Sequence, residues 1–187
     1  MNSTLTRTPH TLRRRGVFNT LLSPGNLGRQ STSLRITSWN CRALFCRNDK
    51  RKRRKLERIS SLAASADIIL LQETHGDEFV LDLFLSGLKK DFWIFSSFID
   101  HATGGIITAV RKKHTPDYDT MRFEVYSCGR ISRLEVAGLN STLVVWNIHN
   151  YEIQCDLMKN ICAALIDNSA EAKRNSCGYM LVVMGDF

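Results

Sequence analysis

The stretch ADIILLQETH, residues 66–75, decides the fold. Four consecutive aliphatic residues, Ile68 to Leu71, are the pattern of a strand buried on both faces. Yet the run ends directly in Gln72 and Glu73. A carboxylate at the end of a dry strand needs a reason, and the reason lies in what surrounds it.

Upstream, LRITSWN (34–40) reads as a strand, followed by the basic run KRKRRK (50–55) and then Leu56, Ile59, Leu62 and Ala63 at helical spacing. That spacing predicts a helix from about Asp49 to Ser65. Strand, helix and strand make a crossover unit with parallel strands. Downstream, Phe79, Val80, Leu83, Phe84 and Leu88 predict a second helix over 77–90. FWIFSSFI (92–99), GGIITAVRK (104–112), RFEVYSC (122–128) and SRLEVAGL (132–139) read as successive antiparallel strands joined by short turns. STLVVWNIHN (141–150) is a further strand. A helix from about Glu152 to Asn168 follows, with Ile153, Leu157, Ile161 and Leu165 four apart, and YMLVVMGDF (179–187) is the last strand.

Each crossover unit therefore ends both of its strands in a polar residue: Asn40 and Glu73 in one, His149 and Asp186 in the other. The carboxyl ends of parallel strands are where ligands bind in α/β proteins. Any one of these residues is more often a turn, a cap or a satisfied histidine. If the two units share one sheet in one orientation, however, an amide, two carboxylates and an imidazole converge. Oxygen donors of that kind suit a hard cation such as Mg²⁺, and a cation beside an imidazole suits phosphoryl chemistry.

The net charge of +8 is unevenly spread. Residues 1–55 carry 14 Lys or Arg against the single acid Asp49, whereas the other 132 carry 12 bases against 17 acids. The run Arg51, Lys52, Arg53 and Arg54 is read as a grip on a nucleic-acid backbone, against the plainer reading of a solvated helix face. Residues 1–33 contain no acid and are rich in Ser, Thr and Arg, which predicts a disordered basic leader and also fits an organelle transit peptide. Otherwise a nuclear or cytoplasmic location is expected. No run of about 18 apolar residues predicts a membrane span, and no apolar core near the N-terminus predicts a secretory signal. The cysteines, at 41, 46, 128, 155, 162 and 177, form no Cys-x-x-Cys pair, so free thiols are expected and a zinc site is not.

SWNCRAL, LLQETH, GGIITAV, WNIHN and VVMGDF, in this order, resemble the endonuclease/exonuclease/phosphatase family. It includes apurinic/apyrimidinic endonucleases, pancreatic-type deoxyribonucleases, neutral sphingomyelinases, inositol polyphosphate phosphatases and endonuclease domains of non-LTR retrotransposons. The resemblance covers residues 34–187 and implies a four-layer α/β sandwich, two packed mixed sheets flanked by helices. It implies Glu73 as principal Mg²⁺ ligand (Mn²⁺ as the alternative), with Asn40 beside it on the metal side. Asp186 would touch the metal and orient or deprotonate the attacking water, and His149 would contact the scissile phosphate. Gly104 and Gly105 would open a strand whose flanking loop approaches substrate.

In that family the last motif continues to Gly-Asp-Phe-Asn, and a later Ser-Asp-His supplies a further imidazole. Here the sequence ends at Phe187. The expectation is therefore a C-terminally truncated domain, its second sheet largely missing, one sheet face uncovered and its hydrolytic activity lost. A DNA endonuclease of retroelement or repair type is the leading reading. An inactive nucleic-acid-binding remnant and a phosphatase or lipid phosphodiesterase are the rivals.

Overall fold

The computed structural model describes residues 18–22, 34–114, 120–137, 141–150, 155–174 and 178–187. The elements are β1 (Phe18–Leu22), β2 (Leu34–Asn40), α1 (Asp49–Ser65), β3 (Ile68–Gln72), α2 (Glu78–Leu85), β4 (Phe92–Ser97), β5 (Ile106–Arg111), β6 (Met121–Ser127), β7 (Ile131–Ala137), β8 (Thr142–His149), α3 (Cys155–Arg174) and β9 (Tyr179–Asp186). A 3-10 turn, Ser86–Lys90, prolongs α2 and fills out the helix expected over 77–90. The predicted start of the last helix, with Ile153, and Cys177 lie outside the described residues, as does the leader apart from 18–22.

Local chemistry sets the helix limits. The Asn48 side chain accepts a hydrogen bond from the Arg51 N–H at 2.9 Å and caps α1, and Asp77 does the same for α2 through the Val80 N–H at 2.8 Å. At the other end of α1 the Arg111 guanidinium donates to the carbonyls of Ala63 and Ala66, the latter at 2.8 Å. Two of the carbonyls that a helix leaves unpaired at its C-terminus are thereby satisfied from β5.

β3 is the strand that the opening stretch promised, with all five residues buried. Its alternation explains why. Ile68 and Leu70 point into the space between two sheets, while Ile69 and Leu71 lie under Ile59 of α1 and Leu81 and Leu85 of α2. The first sheet has the order β1-β2-β3-β5-β4, and the second β6-β7-β8-β9. Ile36, Leu70 and Phe95 of the first pack against Leu134, Val145 and Val182 of the second. Outside the second sheet, Ile161 of α3 covers Val144, Trp146 and Ile148. Helix, sheet, sheet and helix are the four layers expected.

Five expectations need correction. The second sheet is present with four strands rather than largely missing. β4 and β5 pair with each other, and β6 with β7, but β5 and β6 belong to different sheets, so the supposed antiparallel series is split between two layers. The two crossover units accordingly do not share one sheet: β2 runs parallel to β3 in the first and β8 parallel to β9 in the second. The sheet face expected bare for want of that second sheet is covered, since Ile36, Leu70 and Phe95 pack on Leu134, Val145 and Val182. Within the segment read as a disordered leader, residues 18–22 pair antiparallel with β2. No helix among the described residues is long and apolar enough to cross a membrane.

Candidate metal centre

The strand registers bring the four polar ends together. Asn40 lies opposite Gln72 across β2 and β3, so Glu73 emerges one residue beyond; His149 lies opposite Asp186 across β8 and β9. The two pairs meet across the interface between the sheets. The Asn40 amide nitrogen donates to Glu73 Oε1 at 2.9 Å and to Asp186 Oδ2 at 2.7 Å. His149 Nε2 stands 3.1 Å from the same Glu73 oxygen. Ligand atoms of Glu73, His149 and Asp186 all fall within 4.8 Å of one another.

Asn40 enters this group differently from the expectation of a metal ligand. Its Oδ1 accepts a hydrogen bond from the Arg42 N–H at 2.9 Å, which fixes the flip of the amide and turns the NH₂ toward the carboxylates. Both protons of that group then bridge two anionic side chains from opposite sheets. Asn40 is in this geometry the clamp between the two carboxylates.

Backbone conformation holds Glu73 in place. Glu73 and His75 have φ of 50° and 54°, and Arg42 and Ala43 in the facing loop have 49° and 63°. Four non-glycine residues in the left-handed region at one site mark a turn enforced by its neighbours. The neighbours are visible. Ala43 N–H donates to the Glu73 carbonyl at 2.7 Å from one side, and Thr74 and His75 N–H donate to the Gly105 and Gly104 carbonyls, both at 3.0 Å, from the other. Gly104 and Gly105 are themselves buried, with φ of 62° and 85°. A Cβ on Gly105 would come within 2.4 Å of Thr74 Oγ1, so this glycine lets the turn that carries Glu73 close onto β5.

Beneath the cluster lies a dry polar network that connects the sheets. Gln72 Nε2 donates to Asn147 Oδ1 at 2.7 Å and to Ser38 Oγ at 3.0 Å. Asn147 Nδ2 in turn donates to the Ile107 carbonyl at 3.1 Å. Gln72 and Asn147 are both fully inaccessible. Neither was singled out from sequence, although both sit inside the quoted motifs. The available signal was parity, since each occupies the inward position of an otherwise apolar strand.

Burial dominates the electrostatics of the imidazole. It depresses the His149 pKa below the ordinary histidine value, a depression that Arg130 adds to and that Glu73 and Asp186 oppose. Burial therefore favours the neutral imidazole more than in a free histidine, and its Nε2 faces the Glu73 oxygen. His75, on the far side of Glu73, is depressed for the same first reason. Burial also pushes the Cys41 thiol far up, so that cysteine is inert. The five described cysteines are free thiols.

The basic run is divided by the helix. Lys52 is half-buried, paired with Asp49 at 3.0 Å and 4.5 Å from the ring centre of Phe84; Arg53 pairs with Glu57 at 3.3 Å. Arg51 and Arg54 are exposed and have no acidic partner among the described residues.

No family model matches the sequence, and no curated protein matches it. Solved structures do. A 3′ phosphatase NExo from Neisseria, bound to a product DNA hairpin, aligns with a TM-score of 0.51 and 19% identity over 81% of this chain and 56% of its own. A humanized D. rerio TDP2 aligns at 0.51 and 18% identity over 82% of this chain and 65% of its own. The AP endonuclease LMAP from Leishmania major aligns at 0.50 and 13% identity over 79% and 54%. The chain thus spans roughly half to two thirds of the length of the structures whose fold it has.

Proposed function

We propose that this chain, which has the fold of the endonuclease/exonuclease/phosphatase superfamily, is a metal-dependent phosphodiester hydrolase domain acting on nucleic acid, with a DNA endonuclease as the leading form. One observation carries the reading. Asn40, Glu73, His149 and Asp186 arrive from the ends of four strands in two different sheets and place two carboxylates and an imidazole within 4.8 Å. A simple structural ion pair would not need two acids, an amide and an imidazole to converge from four strands. The folds of a DNA-bound 3′ phosphatase and an AP endonuclease agree with it.

The donor set fits a hard divalent cation. Glu73 and Asp186 would hold Mg²⁺, or Mn²⁺, through carboxylate oxygens. Such an ion supplies positive charge that offsets the charge developing on the phosphoryl oxygens. The chain's own groups do the rest. Asn40 keeps the two carboxylates at their spacing through its paired donors. Asp186, held by Asn40 through Oδ2, offers Oδ1 as the acceptor that orients a water and takes its proton. His149 places its Nε2, which faces Glu73 Oε1 at 3.1 Å, on the same side, where an N–H turned from that oxygen would donate to a phosphoryl oxygen.

Against the expectation of lost activity, this reading requires the purified chain to nick supercoiled plasmid with Mg²⁺ and not with EDTA. Nicking should require the metal and fall by about 10²–10³-fold in Glu73→Gln, the scale on which a group stabilising transition-state charge is lost. Nicking that persists in EDTA, or that Glu73→Gln leaves intact, sinks it. Hydrolysis of bis(p-nitrophenyl) phosphate without any plasmid nicking would retain the chemistry and overturn nucleic acid as substrate.

A further inference from the structure

The flank of α1 supplies a surface that the metal cluster does not use. Arg51, Arg54, Lys55 and Arg58 stand at i, i+3, i+4 and i+7 and so line one side of the helix. Lys55 is turned inward and donates to the carbonyls of Arg42 and Ala43, the latter at 2.8 Å. That contact pins the flank to the loop whose Ala43 N–H holds the Glu73 carbonyl. Arg58 lies 5.2 Å from the ring centre of Trp39 on β2, a cation–π contact that draws its guanidinium toward that strand. Lys52, by contrast, faces Phe84 of α2 on the other side of the helix. Exposed Arg42, whose N–H bonds Asn40, stands where the flank meets the cluster.

We propose that Arg42, Arg51, Arg54 and Arg58 form a phosphate track that leads a nucleic-acid strand away from the metal centre along α1. The spacing suits this occupant. Arg51 to Arg58 spans roughly 10 Å of helix, about the axial length of three phosphates of one strand. The nearest acid on α1, Glu57, stands at i+3 from Arg54 but is paired with Arg53 at 3.3 Å, and among the described residues no acid is paired with Arg51, Arg54 or Arg58. A lipid surface fits less well, because none of the large exposed hydrophobic side chains lies on α1 and an interfacial helix needs an apolar face. The inference rests on nucleic acid being the substrate, and it adds which surface holds the strand and which residues of the basic run do not.

The test is a binding titration of the full chain in EDTA, so that hydrolysis plays no part. Anisotropy of a labelled 20-base-pair duplex is followed from about 50 to 200 mM KCl, the range over which counterion release separates phosphate contacts. In Arg51→Gln/Arg54→Gln the slope of log affinity against log salt should fall by about 2, and adding Arg58→Gln should bring the loss to nearly 3. The charge-matched Lys89→Gln/Lys90→Gln, exposed beyond α2, should leave the slope within about half a unit. Thermal melts check that each variant folds; Arg51→Gln/Arg54→Gln removes no internal contact and serves if the triple variant does not. An unchanged slope in the double variant overturns the track, as does an equal fall in the lysine control. Equal weakening toward phosphatidylserine vesicles and duplex would replace it with a nonspecific anion surface. Plasmid nicking with an unchanged slope would refute the track alone; a lost slope without nicking would refute the hydrolase alone.

Discussion

At the scale of single residues, Asn40 is the side chain whose chemistry is least replaceable. Two carboxylates from opposite sheets repel one another, and the amide that donates to both offsets the repulsion at 2.9 and 2.7 Å. In Asn40→Ala the carboxylates lose their common donor and their spacing. Cation affinity should weaken by about 10–100-fold, the usual effect of removing a group that orients metal ligands. Titration with Mn²⁺, read by the loss of its free-ion electron paramagnetic resonance signal, measures this; unchanged affinity would show that the strand ends alone set the spacing. The four polar ends were legible from sequence because each follows an apolar strand directly. Asn40's orientation was not, since the direction of an amide depends on the Arg42 N–H two residues away and on a loop with positive φ.

At the scale of elements, lengths were easier to read than partners. α1 occupies the predicted span, Asp49–Ser65, because capping by Asn48 and the spacing of Leu56, Ile59 and Leu62 are local signals. Membership of a sheet is not local. β5 and β6 carry strand-like sequence equally well, yet one pairs with β3 and the other with β7. Beside the apolar core, the buried Gln72 and Asn147 pair joins the layers, and parity marks each as inward while their pairing is defined only once the sheets face each other. Asn147→Ala would leave one proton of the Gln72 amide, whose other partner is Ser38, and the Ile107 carbonyl without their Asn147 bonds in a dry interior. Each buried group left unpaired costs about 1–3 kcal/mol, so the variant should lose several kcal/mol in urea unfolding. A double-mutant cycle with Gln72→Ala should return a coupling of about 0.5–3 kcal/mol. Simple additivity would mean that the two side chains do not act as one bridge.

At the scale of the whole molecule, the cluster is a joint between two half-structures, each a crossover unit covered by its own helices. The cation would bind carboxylates of both, Glu73 beyond β3 and Asp186 at the end of β9, so binding should tighten the joint and not merely fill a site. Linkage gives the size: at a free Mg²⁺ concentration ten times the dissociation constant the folded state gains about 1.4 kcal/mol. For a chain of this length that raises Tm by roughly 3–6 °C. The sign reverses when a charge is removed. Asp186→Asn relieves the repulsion between the two acids, so the metal-free variant should melt at or above the temperature of the metal-free parent and respond little to Mg²⁺, a gain in stability made at the expense of function. Differential scanning calorimetry with Mg²⁺ and with EDTA reads both effects, and hydrogen exchange locates them: slower exchange with Mg²⁺ should appear in β3 and in β9 together. Protection confined to one sheet would mean that the ion sits on one half alone, and the joint between the sheets would then rest only on the apolar core and the Gln72–Asn147 bridge.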